Sequence, residues 1–343
     1  MEIRKLNMLR GLAASVVVMS HYSNHTELFN KLLGDSAGQL GVMIFFVLSG
    51  FLMSYLYMDT KKANKENLKY FIFARVARVV PLFVGIVLVS YFMPLFGIKH
   101  IFYHIPDATS LISHLGLLHG NSVLWTVSTE IQFYALFIVF WIVQEKRKLP
   151  LYIFFSAVLI ILMFYGLPAP RLTVVGWEID TKLVRSLPYF LMGVVFGQIY
   201  KSWTPPKSLH SGGFVFSLAI ILALYPNVFR FLTGQYHQMW QDIRIFTMVS
   251  LVFFLIAFLV PDENLLLANP VGDFLGKISY SVYLLHLPIL RSMDAIALSP
   301  MPSLVVFTGL LLVVSYLSYR FIESPSRQFL RSLAFRQHPL TNA

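Results

Sequence analysis

Residues Phe246–Val260 read FTMVSLVFFLIAFLV, an apolar stretch without a single charge. With its flanks it approaches the roughly 20 residues that carry an α-helix across a bilayer. The pattern recurs at Leu151–Leu162, Phe214–Tyr225 and Leu304–Ser315. In hydrocarbon the backbone of such a segment has no water to bond to, so it must satisfy itself as a helix or within a closed barrel. Outward from these blocks, 57% of the 343 residues are apolar and 13% are charged, more oil than a soluble core of this length requires. The expected fold is all-α: a polytopic transmembrane helical bundle forming one domain over residues 1–343, with no fused soluble domain.

Ten helical windows emerge: 6–23, 37–57, 71–96, 128–144, 150–167, 184–200, 212–226, 243–260, 277–294 and 303–321. Residues 97–127, with Pro106, Gly116, Gly120, His104, His114 and His119, fit a re-entrant or interfacial helix instead. An even count places both termini on one side, and alternate connecting segments should then differ in Lys and Arg. Of the 27 basic residues, 19 fall on the side of the termini and 8 on the other, so both termini are expected in the cytoplasm. The first 23 residues have a basic start and an apolar middle like a signal peptide, but His21-Tyr22-Ser23-Asn24-His25 offers no small-residue cleavage site. The segment reads as a retained first span.

Two function classes fall away on composition. The net charge of +11 would suit nucleic acid only if the cations shared one surface with interleaved aromatics, whereas here they punctuate apolar blocks. Cysteine is absent, which removes disulfides, zinc thiolates and any thiol nucleophile. No metal site is expected.

Ionisable groups at bilayer depth cost several kcal/mol unless satisfied, so each is a candidate functional residue. Arg10 and His21 lie 11 residues apart, within about 20° of whole helical turns, and project from one face roughly 16 Å apart along the axis. The bland alternative is a snorkelling arginine and an interfacial histidine. Glu130, in Leu124-Trp125-Thr126-Val127-Ser128-Thr129-Glu130-Ile131-Gln132-Phe133-Tyr134, is expected at the depth of His21, where a carboxylate orients an imidazole. The competing reading is an ordinary first-turn acid behind a Thr126 or Ser128 cap. Arg75 and Arg78, one turn apart before Pro81, can present two guanidinium forks to one anion, or simply anchor the span. His286 lies deep in the ninth window, where a histidine bonded to a neighbouring helix is usual. The spacing of Glu323 from Arg320 and Arg327 fits an ion pair.

Taken in order, these pieces resemble the acyltransferase family 3 membrane proteins, which include bacterial O-antigen and exopolysaccharide O-acetyltransferases. The carriers are Leu9-Arg10-Gly11-Leu12-Ala13 with His21, Gly41-Val42-Met43-Ile44-Phe45-Phe46-Val47-Leu48-Ser49-Gly50-Phe51-Leu52, and Arg75 and Arg78 with Pro81. After them come Trp125 with Glu130, Gln132, Phe133 and Tyr134, then Tyr283-Leu284-Leu285-His286, and finally Phe321-Ile322-Glu323-Ser324-Pro325. Thr126 stands where the family often has serine, and the acidic residue often found near Met43 is missing. The resemblance implies His21 as the catalytic group, with Glu130 beside it, and Arg10, Arg75 and Arg78 as contacts for an acyl-CoA donor, acetyl-CoA first. It implies Trp125, Ser128, Tyr134, Tyr283, His286 and Glu323 in support, and a carbohydrate or lipid-linked glycan as acceptor. The expected location is a multi-pass protein of the bacterial cytoplasmic (inner) membrane. Transfer is either direct, with His21 as base, or relayed through an acyl-His21. Two rivals stand outside catalysis: a transporter or flippase for a glycan, and a subunit that organises polysaccharide assembly.

Overall fold

A computed structural model describes residues 3–58, 60–144, 171–174, 177–180, 182–203, 212–236, 239–240, 242–296 and 298–335, together with Ser156. Among these residues the chain is helical almost throughout. The helices are α1 (Lys5–Thr26), α2 (Gly38–Tyr57), α3 (Lys65–Phe92), α4 (Ala108–Leu115), α5 (Trp125–Gln144) and α6 (Lys182–Ile199). Then follow α7 (Gly212–Ala223), α8 (Pro226–Thr233), α9 (Ile243–Phe254), α10 (Pro270–Ser292), α11 (Pro300–Ser318) and α12 (Ser324–Phe335). Nine of the ten windows fall on these helices, while 150–167 lies outside the described residues. An antiparallel hairpin, β1 (Arg171–Val174) with β2 (Trp177–Asp180), pairs Val174 with Trp177 and Arg171 with Asp180. It is a local addition to the helical bundle that apolar periodicity does not signal.

Local chemistry sets the helix ends. Asn64 accepts from the Asn67 amide to open α3, and Asn269 accepts from Gly272 to open α10, where Pro270 fills the first turn; both satisfy donors that a helix start leaves orphaned. α1 stops where Glu27 turns left-handed at φ 57°. The region 97–127 folds as the short α4, with Asp107 capping Ser110, and a single 3₁₀ turn before Trp125. His114 is locked within that region, its Nδ1 on the Ser110 carbonyl and its Nε2 accepting the Asn121 amide.

By length and hydropathy, four helical segments among the described residues can cross a membrane: Gly38–Tyr57, Lys65–Phe96, Ser122–Gln144 and Pro300–Leu333. The pair α7 and α8, bent by 86°, makes a fifth if it counts as one span. α1 and α10, with 22 and 23 residues, match the two shorter of these in length but carry Arg10, His21, His286 and several serines, which lowers their hydropathy. Hydropathy and burial do not track one another: Gly38–Tyr57 is 78% buried inside the bundle, Pro300–Leu333 only 28%.

α1 packs on α2 and on α10. It runs parallel to α10, tied at one end by Arg4 to Asp273 at 2.7 Å and at the other by His25 to Asp294 at 2.6 Å. The Arg4 guanidinium, with Asn7, holds the Asp273 carboxyl below its ordinary range. The tightest contact joins α2 to α6. A Cβ on Gly50 would sit 2.0 Å from the Phe190 carbonyl oxygen, and one on Gly193 would sit 2.0 Å from that of Val47. Glycine lets the two backbones touch, the way helices associate where lipid supplies no hydrophobic drive. Gly193→Val should therefore abolish the folded bundle. Gly85→Ala, with nothing within 4 Å of its Cβ inside α3, should leave stability unchanged or raise it by up to about 1 kcal/mol. Thermal unfolding of the purified protein in detergent separates the two.

Candidate active site

The centre of the site is a pair of imidazoles brought together from opposite ends of the chain. His286 of α10 is fully buried, and its Nδ1 lies 2.7 Å from the carbonyl oxygen of Tyr283 one turn back. A carbonyl only accepts, so that nitrogen carries the proton. In the neutral ring, Nε2 then holds the lone pair. His286 Nε2 lies 2.8 Å from His21 Nδ1, and the two rings stack at 5.0 Å and 22°. His21 Nδ1 must therefore donate, which leaves His21 Nε2 unprotonated and free to act as a base. The field of Arg291 reaches both rings, while its guanidinium donates to the Phe102 carbonyl at 2.8 Å.

This pairing corrects the expectation for Glu130. The carboxylate does not orient His21: its Oε1 accepts from Ser49 Oγ at 3.1 Å and from the Tyr134 hydroxyl. α5 begins only at Trp125, so Glu130 sits about 7.5 Å further into the bundle than the helix start. There it faces the arginines and Ser49 of α2. His286, bonded across helices as its depth suggests, holds His21 instead.

Two cavities flank this centre. The outer one, with about 730 Å3 of non-atom space, is lined by His21, Asn24, Gln39, Trp125 and Arg185 among others. The inner one, about 620 Å3, is lined by Arg10, Arg78, Glu130, Ser49, Ser279 and Tyr280 among others. Arg75 corrects a second expectation. Residues three apart on a helix diverge by about 60°. Arg78 accordingly faces the inner cavity, while Arg75, 9% exposed, packs among the rings of Tyr57, Phe71 and Tyr134 at 5.7, 5.8 and 5.9 Å. It stands behind the cavity, within the field of Glu130.

The inner cations outnumber their partners. Arg10 feels Arg78, Arg75 and Arg327 as like charges and Glu130 as the opposite one. Its Nε, and that of Arg75, are buried without a hydrogen-bond partner. Arg327 bridges Glu323 at 2.7 Å, and the buried Glu323 carboxylate also accepts from Ser281. With these residues ionised, four guanidiniums face two carboxylates, a surplus of two positive charges that suits a polyanion.

The remaining expected residues divide by role. Trp125 lines the outer cavity, edge-on to Phe46 and Trp240, with Lys182 and Arg185 above its ring at 5.4 and 5.0 Å. Tyr283 lines both cavities. Tyr134 holds Glu130, and Ser128 Oγ reaches the His119 carbonyl at 3.4 Å, fastening the 97–127 region to α5 rather than entering the site. The sequence did not single out Arg185, Gln39, Ser49 or Ser281, whereas the Glu323–Arg327 ion pair is one that its four-residue spacing suggested.

Over residues 3–320 the chain matches the acyltransferase domain family. It is similar to a candidate O-acetyltransferase of Staphylococcus aureus (strain COL), 26% identical over 362 residues that cover 94% of this chain and 57% of that protein. It is similar also to a candidate acetyltransferase of Acidianus two-tailed virus, 28% identical over 295 residues and 82% of each chain. A third relative is the O-acetyltransferase OatA of S. aureus (strain NCTC 8325 / PS 47), 27% identical over 85% of this chain and 53% of that protein. The chain thus spans little more than half the length of the staphylococcal relatives it matches. No solved structure matches it. With the matched region running through every helix that contributes to the two cavities, the chain belongs to acyltransferase family 3.

Proposed function

We propose that the protein is a membrane-bound O-acyltransferase that moves an acetyl group from acetyl-CoA to a hydroxyl of a cell-surface or lipid-linked carbohydrate. One observation carries this reading: His21, its Nδ1 bonded to His286, lines one cavity, while Arg10 and Arg78 line the other. Such a division suits a neutral acceptor on one side and a phosphate-bearing donor on the other.

In the direct mechanism, His21 Nε2 takes the proton of the acceptor hydroxyl as its oxygen attacks the thioester carbonyl carbon. The C–O bond forms, the C–S bond breaks, and His21 returns the proton to the departing thiolate. His286 keeps the His21 ring in register and accepts from Nδ1 throughout. Arg10 and Arg78 bind the donor's phosphates, with Arg75 behind them, and Glu130 offsets part of the repulsion among the arginines. The outer cavity, with its Trp125 face, Asn24 and Gln39, receives the sugar.

The ten-span arrangement, with both termini in the cytoplasm of a bacterial inner membrane, belongs to the same proposal. It is supported by the distribution of basic residues and by helix directions. α1 and α10 run parallel, as first and ninth spans must. α5 and α6 also share a direction, with Trp125 beside Arg185 and Phe133 stacked on Phe190, as a count with one span between them requires. The inner cavity then opens towards the cytoplasm, where coenzyme A resides. A reporter fused after Ala343 should be active only if it works in the cytoplasm, and an exported reporter would contradict this topology.

Purified protein in nanodiscs should release coenzyme A from acetyl-CoA, which a carrier or a scaffold would not do. His21→Ala should lower that turnover by about 10²- to 10⁴-fold at unchanged membrane abundance, whereas His286→Ala, which frees the His21 tautomer, should cost about 10- to 100-fold. Retained activity in His21→Ala would remove the chemistry proposed. Arg78→Ala should raise KM for acetyl-CoA by about 10- to 100-fold through loss of a charge-assisted contact. Arg75→Ala should show itself first as a lower Tm, because it strips a buried cation from three aromatic rings.

A further inference from the structure

The inner and outer cavities share two lining residues, Val42 of α2 and Tyr283 of α10. The chemistry is divided across that boundary, with Arg10 and Arg78 inside it and His21 beyond. On the acyltransferase reading above, an acyl group arrives at the tip of a donor anchored by the arginines. It must therefore pass between Val42 and Tyr283 before an acceptor oxygen beside His21 can take it. We infer that Val42 and Tyr283 form a gauge that selects the acyl group by its girth.

Both walls are built to hold position. Val42 is 5% exposed and Tyr283 6%, and a β-branched residue in a helix keeps essentially one χ1 rotamer. The Tyr283 hydroxyl accepts from Thr126 Oγ1 at 3.1 Å, and its ring stands edge-on to Phe45 at 6.0 Å and 76°. The carbonyl of this same residue fixes the proton on His286 Nδ1. Widening the passage by moving the α10 backbone would therefore disturb the histidine pair, whereas turning the ring costs the hydroxyl's contacts with Thr126 and the Val123 carbonyl and its packing. The gauge and the base share one helical turn.

A straight acyl chain presents the same cross-section whatever its length. A branch at the carbon next to the carbonyl widens it at once. The gauge should accordingly pass acetyl and butyryl and reject isobutyryl and benzoyl, and a misfit of about one methyl group is worth roughly 10- to 200-fold in specificity. The transfer itself is unchanged: the C–S bond to coenzyme A breaks, a C–O bond forms, and the hydroxyl proton leaves on the thiol through His21.

The test measures thiol release from acetyl-, butyryl-, isobutyryl- and benzoyl-CoA by the purified full chain, with water as acceptor and a colorimetric thiol reagent as readout. The chain contains no cysteine, so the protein adds no background. The wild type should prefer butyryl over isobutyryl by at least 10-fold. Val42→Ala should shrink that ratio by about 10-fold, as should Tyr283→Phe, which keeps the ring but loses the Thr126 tether. Binding of free coenzyme A by each variant reports that it is folded. Variants that bind coenzyme A and turn over thioesters with the wild-type ratio would overturn the gauge alone. A wild type that neither binds coenzyme A nor releases thiol from any of the four would overturn the acyltransferase reading, and the gauge with it.

Discussion

Positive charge kept from water without an equal negative charge is the constraint to which the rest of this bundle answers. Arg10, Arg75, Arg78 and Arg327 stand around Glu130 and Glu323, and buried guanidinium nitrogens of Arg10 and Arg75 lack partners. A charge pair in a low-dielectric interior barely offsets its own desolvation, so an unmatched pair of cations is costlier still. The fold tolerates it by sparing neutral acceptors and aromatic faces for these groups: Arg75 lies among three rings, and Ser281 helps Glu323 hold Arg327. What remains unbalanced faces a cavity, where an anion can restore neutrality.

The same constraint arranges the helices. Hydrocarbon gives apolar faces no reason to associate, so the inner helices are held by close backbone approach and by polar bonds. Gly50, Gly193 and Gly197 bring α2 and α6 into backbone contact, and Gly41 rests against the Ala13 carbonyl of α1. These contacts fix α2, which carries Val42 and Ser49, relative to α1, which carries Arg10 and His21. The two ends of the site are thereby set by backbone packing at Gly41 and Gly50, next to Val42 and Ser49 of the cavity walls.

Much of this was legible in the sequence, for identifiable reasons. Apolar blocks located the helices, and the 11-residue spacing predicted one face for Arg10 and His21, because helical periodicity is a local property. Contacts between helices were not legible. His21 and His286 are separated by 265 residues, and no local rule joins them. Glu130 seemed the partner because carboxylates commonly orient imidazoles, yet α5 carries it past His21 to the arginines. Arg75 and Arg78 looked equivalent by spacing, but a rotation of about 60° on one helix sends one into a cavity and the other into aromatic packing. Hydropathy passes over α1 and α10, whose Arg10, His21 and His286 are among the groups that build the site.

An imidazole rather than a carboxylate behind His21 fits the electrostatics of its surroundings. A carboxylate would bury one more charge at a depth where Arg291 is already satisfied by a carbonyl, and its pull would stabilise the protonated His21 even at rest, leaving less of the free base. A neutral His286 fixes the tautomer by hydrogen bonding alone, with its own tautomer fixed in turn by the Tyr283 carbonyl. The chain of constraint runs from a backbone oxygen of α10 through two rings to one lone pair. Every link is neutral, so under the mechanism proposed above charge would develop at His21 only when it takes a proton. The two cavities thus differ in kind: the inner one gathers Arg10 and Arg78 with Glu130, and the outer one sets the His21 imidazole beside Trp125 and a single arginine, Arg185.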